Sequence, residues 1–255
     1  MANFDEKILW VIDMKSTAAE QRVLDHARKA GATGVAIRTS NMNLGDAIGR
    51  LKNEGIDKVF AWRWPACREG STLPFYFAPE QARYVAEKLI PAGLDGYFAD
   101  IESDNDKGRN DWNKSDFKEM AIDFCAVIKE AAPDGFVFAL TSGCEQPSNN
   151  THIPWKPFVD ASDYLLPQSY WRREENPQSI HGGTPATAIA KADAAWGPIS
   201  GAKTRVPMMG ELAMVTPAEI AAFGALLVAR GERRLHIYVD TDDDLGQQLD
   251  AVAAL

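Results

Sequence analysis

Eight short apolar runs, rich in β-branched and aromatic residues, alternate with segments of helical spacing, and this alternation constrains the fold more than any other feature. The runs are ILWVID (8–13), GVAIRTS (34–40), KVFAWRW (58–64), GYFADIE (96–102), GFVFALTS (135–142), DYLLPQSYW (163–171), RVPMMGEL (205–212) and LHIYVDTD (235–242). Between them, 16–31 carries Thr17-x-x-Glu20 as a capping box and stops at Gly31. The design recurs over 216–231 with Thr216, Pro217, Glu219 and Gly231. Segments 78–93 and 115–133 also space apolar residues helically. Such alternation predicts parallel strands with helices outside. Eight units in 255 residues match a (β/α)8 TIM barrel, which takes about 250 residues. With no linker, low-complexity segment or repeat, the chain reads as one α/β domain over 1–255. A doubly wound open sheet is the alternative. It usually needs a Gly-rich first turn, and the first run here enters IDMKST without G-x-G-x-x-G.

In a barrel, active sites sit at the C-terminal ends of the strands, so the tips of the runs carry the functional information. Those tips are polar: Asp13, Arg38, Trp62-Arg63-Trp64, Asp100 and Glu102, Thr141-Ser142, Gln168 with Tyr170 and Trp171, Glu211, and Asp240 with Asp242. Asp100 and Glu102 lie two positions apart on a strand, so both carboxylates share one face while Tyr97, Ala99 and Ile101 take the other. Like charges on one face repel, which a purely structural strand gains nothing from. Crowding raises one carboxyl pKa and leaves its neighbour ionised, the division of labour glycosidic cleavage requires. Nearby tryptophans offer flat faces for pyranose rings.

The net charge of −9, with only short basic pairs beside acids, argues against nucleic acid or an anionic membrane surface as partner. No run approaches the roughly 20 apolar residues of a membrane helix. The start MANFDEKILWVIDMK has acids before its apolar run, unlike a signal peptide. Cys67, Cys125 and Cys144 fit neither a disulfide framework nor a zinc pattern, so reduced thiols and synthesis in the cytoplasm are expected. The four histidines form no metal motif, and no cofactor is called for. In DTDDDLG (240–246), Leu245 stands where a calcium loop needs Gly.

The stretch LDGYFADIESD resembles the fourth-strand signature of the chitinase-like and lysozyme-like barrels of glycoside hydrolase families 18 and 25. The family 18 form D-G-x-D-x-D-x-E is met by Asp95, Gly96, Asp100 and Glu102, with Phe98 replacing its middle Asp; the shorter family 25 form D-x-E fits without loss. Asp13, PQSYW and YVDTD also resemble the lysozyme-like barrels, which place an Asp, a Gln-x-Tyr and an Asp there. The resemblance implies Glu102 as general acid and Asp100 as the group that orients or stabilises the substrate's 2-acetamido group. Asp13 and Asp240 would hold hydroxyls, and Gln168 and Tyr170 would contact the acetamido group. It implies a polysaccharide partner, peptidoglycan or a chitin-like glycan. A monomer is expected, and a wall-cleaving enzyme without a signal peptide would need lysis, a holin or a phage particle to reach that partner.

Competing readings stand beside these. A Glu102/Glu211 pair would suit a retaining glycosidase, although such enzymes usually have Asn where Ile101 stands. A non-catalytic sugar-binding barrel would keep the cleft without the chemistry, as Phe98 allows. Asp13 also reads as a helix cap or a partner of Lys15, Asp100 and Glu102 as partners of Arg38 or Arg63, and Trp62 or Trp64 as core. Trp171 and Trp112, on polar loops, are sugar-platform candidates.

Overall fold

Period-two alternation becomes two concentric layers in the computed structural model, which describes residues 4–41, 44–70, 75–103, 110–172, 183–241 and 244–255. Seven strands are present among the described residues: β1 (Glu6–Val11), β2 (Gly34–Arg38), β3 (Lys58–Arg63), β4 (Gly96–Asp100), β5 (Val137–Gly143), β6 (Tyr164–Gln168) and β7 (Arg234–Asp240). They pair in parallel in the order β6-β5-β4-β3-β2-β1-β7. Along β4, Phe98 points into the barrel, while Tyr97, Ala99 and Ile101 pack outward under the helices. The interior is largely aromatic: Phe98 stacks on Trp10 at 5.2 Å and on Phe60 at 4.9 Å. Buried His236 accepts a hydrogen bond at Nδ1 from Trp10 Nε1.

The helices follow the strands: α1 (Thr17–Ala30), α2 (Leu44–Asn53), α3 (Ala78–Tyr84), α4 (Lys118–Ala131), α5 (Gln146–Asn149), α6 (Trp155–Ala161), α7 (Pro185–Ser200), α8 (Pro217–Ala229) and α9 (Gly246–Ala253). The cap of α1 is Ser16 rather than Thr17, its side chain accepting from Ala19 N; Gly31 ends the helix with φ 62°. The capping box of Thr216 and Glu219 forms as its spacing predicts.

The seventh apolar run is not a regular strand. It lies between the edge strands β6 and β7 and bonds to both. Val206 N donates to Leu165 O and Met208 N to Pro167 O on one side, and Met209 N donates to His236 O on the other. Pro207, between the two β6-directed donors, has no N–H to offer β7, which interrupts that ladder. Val206 and Met208 still fill the interior as strand residues would. The architecture is a single TIM-barrel-like α/β domain with an irregular seventh position.

A second irregularity sits where β1 meets β7. Leu9 pairs with Ile237, but Val11 pairs with Asp240, so β7 carries one extra residue. A bulge of this kind reverses the facing of everything beyond it. His236 and Tyr238 face inward, and Asp240 is turned out toward α1.

Candidate active site

At the C-terminal mouth of the barrel, a cavity of about 230 Å³ collects residues from all eight strand positions. Asp100 and Glu102 come from β4, Gln168 and Tyr170 from β6, and Glu211 from the irregular segment. Arg38 from β2 and Trp62 and Trp64 from β3 complete the predicted set that lines it. Gly143, Gln146, Trp10 and Tyr238 join them, although tip chemistry alone does not single them out. Parity does: Trp10 and Tyr238 lie on the inward faces of β1 and β7.

Asp100 is a strongly perturbed acid of the site. Its carboxyl is buried, with Oδ1 accepting from Gln168 Nε2 at 2.9 Å. Burial, then the neighbouring Glu102 charge, push its pKa well above the usual carboxylate range, and the Gln168 hydrogen bond only partly offsets them. The residue two places earlier on the same face is Phe98, so no second carboxyl lies beneath it. Gln168, expected on the acetamido group, is already committed to Asp100 through its amide nitrogen.

Tyr170 and Tyr238 stack with centroids 5.4 Å apart, and burial raises both phenols. Tyr170 packs so closely over Gly210 that a Cβ there would lie 2.7 Å from its ring. Trp62 is nearly buried and donates from Nε1 to Val11 O, so it presents an edge at most. Trp64 is half-buried, and its Nε1 is enclosed without a hydrogen-bond partner among the described residues. Gln146 approaches Glu102 from the β5 side and accepts from Ser103 N at Oε1.

Three predicted contacts lie elsewhere. Asp13 follows the outward parity of Leu9 and Val11; it is exposed and pairs with Lys15 at 3.8 Å. Asp240, turned outward by the bulge, is enclosed by α1, with Arg22 Nε 3.1 Å and His26 Nδ1 2.6 Å from its carboxylate. Trp171 has the parity of Leu165 and is fully buried, its ring 5.4 Å from Phe223. Trp112 is likewise core, donating to Pro65 O. Neither tryptophan can be a platform. Arg38 and Arg63 pair with no carboxylate among the described residues, so the ion-paired lid does not form there. Asp242 and most of the loops 103–113 and 172–183 lie outside the described residues. Among those described, no group of His, Cys, Asp and Glu could hold a metal ion. Cys67, Cys125 and Cys144 form no disulfide among the described residues, and burial pushes the Cys67 and Cys125 thiols up to about 11 and about 12.

No protein-family model matches the chain, and no curated protein matches it in sequence. Solved structures do match. A chitinase from Rhizomucor miehei superposes with TM-score 0.63 at 9% identity, over 98% of this chain and 99% of that one. The spore cortex-lytic enzyme SleL of Bacillus cereus gives 0.62 at 11% identity, over 97% and 74%. The endo-1,4-β-D-xylanase 10B of Clostridium thermocellum, complexed with xylohexaose, gives 0.62 at 11%, over 99% and 66%. At such identities the likeness establishes the barrel; chemistry must come from the site.

Proposed function

We propose that the protein is a glycoside hydrolase acting on β-1,4-linked glycans of N-acetylated amino sugars, with muramidase action on peptidoglycan as the specific reading. The observation that carries it is the buried Asp100 beside Glu102 in a cavity at the barrel mouth, shared with Gln168, Tyr170 and Glu211. The chitinase and cortex-lytic neighbours support the same class.

In this reading the close carboxyl pair holds a proton more tightly than an isolated carboxyl does, because burial opposes a second negative charge beside the first. That proton is the one the leaving oxygen needs. Glu102, the more accessible partner, delivers it as the glycosidic bond breaks. The 2-acetamido carbonyl attacks the anomeric carbon, an accepted exception to the two-carboxylate scheme, and Asp100 steadies the acetamido N–H. Water then opens the cyclic intermediate and returns a proton to Glu102. Gln168 fixes the Asp100 carboxyl for this task.

Release of reducing sugar from purified peptidoglycan and from chitin oligomers tests the reading. Wild type is expected to turn over peptidoglycan, and Glu102→Gln to lose about 100-fold or more. Binding without turnover in the wild type would instead indicate a sugar-binding barrel. Because Glu211 lines the same cavity, a Glu102/Glu211 retaining pair is the second reading. It requires Glu211→Gln to lose as much activity as Glu102→Gln, whereas substrate assistance predicts a much smaller loss.

A further inference from the structure

The cavity has two chemically different arcs. Glu102 and Glu211, with the buried Asp100, bring carboxyl groups to one arc, and β2 and β3 bring donors to the other. Arg38 stands at the tip of β2, in register with Trp62. Its guanidinium is half-buried and donates from Nε to Ser40 Oγ at 2.8 Å. No hydrogen bond or ion pair engages its two terminal nitrogens among the described residues, although three acids line the same cavity. Elsewhere the half-buried arginines find carboxylates: Arg172 pairs with Glu219, Arg205 with Asp193, and Arg234 with Glu232. In the same cavity wall, Trp64 holds an enclosed Nε1–H with no acceptor among the described residues. An open guanidinium fork and an orphan donor from the neighbouring strand, both in the wall of one cavity, suit a planar, bidentate anion, and a buried donor left unpaired is costly.

We propose that Arg38 and Trp64 form a carboxylate subsite, which makes the cavity select glycans carrying a free carboxylate on or beside the bound sugar over neutral ones. The inference rests on the glycan-binding reading and refines its substrate class. The acids of the cavity repel an anionic ligand unless a cation receives it, and among the described residues that line it the cation is Arg38. Neutral chitin-like chains leave that fork facing water; a lactyl or uronic carboxylate fills it.

Tryptophan fluorescence titration of the full chain provides the test, with four tetrasaccharide probes. These are alternating N-acetylglucosamine/N-acetylmuramic acid with free lactyl carboxylates, its methyl ester, a hyaluronan tetrasaccharide, and a chitin tetramer. Wild type is expected to bind the free acid about tenfold or more tighter than the ester, a preference that shrinks in high salt. Arg38→Gln should bring the two Kd values together, and Arg38→Lys, which keeps charge but not the fork, should restore part of the gap. Tight hyaluronan binding lost in Arg38→Gln would assign the subsite to a ring carboxylate; a preference confined to the muramyl acid assigns it to the lactyl group. Equal affinity of wild type for acid, ester and chitin tetramer overturns the subsite while leaving glycan binding intact. Binding of none of the probes overturns both. An acid preference that survives in Arg38→Gln, with folding verified by circular dichroism, also refutes it.

Discussion

Trp64 and Trp171 both close an apolar run beside a polar loop, and parity along the strand separates their roles. Trp64 shares the inward face of Phe60 and Trp62 and lines the cavity, whereas Trp171 shares the outward face of Leu165 and is sealed against Phe223. Trp171→Ala should therefore cost about 3–5 kcal/mol of stability, by cavity creation in the core. Its refolded protein should keep its glycan affinity. Trp64→Ala should do the reverse, weakening glycan binding in fluorescence titrations while moving the urea midpoint far less. Unchanged affinity in Trp64→Ala would remove it from the site. The same parity was available for Asp13, which follows Leu9 and Val11 outward. Reading strand tips as a group, without carrying the alternation through them, is what assigns Asp13 and Trp171 to a mouth they do not face. Asp240 is different. Its inward parity with His236 and Tyr238 is correct in sequence and is reversed by a bulge that only the pairing with β1 reveals.

Among the elements, the irregular segment at the seventh position shows how a barrel tolerates a broken strand. Its bonds to β6 are regular, its bonds to β7 resume only at Met209, and its inward side chains still complete the interior layer. Met208 is fully buried, and its sulfur receives the Thr141 hydroxyl at 3.3 Å. Met208→Ala is expected to cost about 2–5 kcal/mol in urea unfolding, as a core truncation does. A cost below about 1 kcal/mol would mean that the segment is peripheral rather than part of the barrel wall. The positions of the other seven strands and the helices at 16–31, 115–133 and 216–231 were legible because apolar period and capping residues agree locally. The loss of the seventh strand was foreshadowed only by Pro207, whose missing donor matters once both neighbours are known. The Asp100–Gln168 bond was not legible at all, since it joins residues 68 positions apart.

Across the whole molecule, two fully buried groups of opposite charge type pull the pH dependence of stability in opposite directions. Burial, then the Arg234 charge, push His236 down to about 3, so the folded barrel refuses a proton that the unfolded chain accepts below about 6.5. That makes stability fall as pH drops from about 6.5 toward 3, by about 1.4 kcal/mol per pH unit. Asp100 works in the other direction. The folded protein keeps a proton that the unfolded chain releases above about 3.9, so stability falls as pH rises, until the folded carboxyl ionises. Between about 4 and 6.5 the two slopes oppose each other, and substituting either group exposes the other. Relative to wild type, Asp100→Asn should gain stability progressively as pH rises above about 4, because Asn carries no charge to bury. His236→Gln, whose side-chain carbonyl can still accept from Trp10 Nε1, should gain it progressively as pH falls below about 6.5. Urea midpoints measured at several pH values give both difference curves, and the double variant should show their sum. A flat difference curve for Asp100→Asn would mean that the mouth of the barrel ionises that carboxyl as water does. The proton held by the carboxyl pair would then be absent, and with it the acid that the proposed cleavage requires.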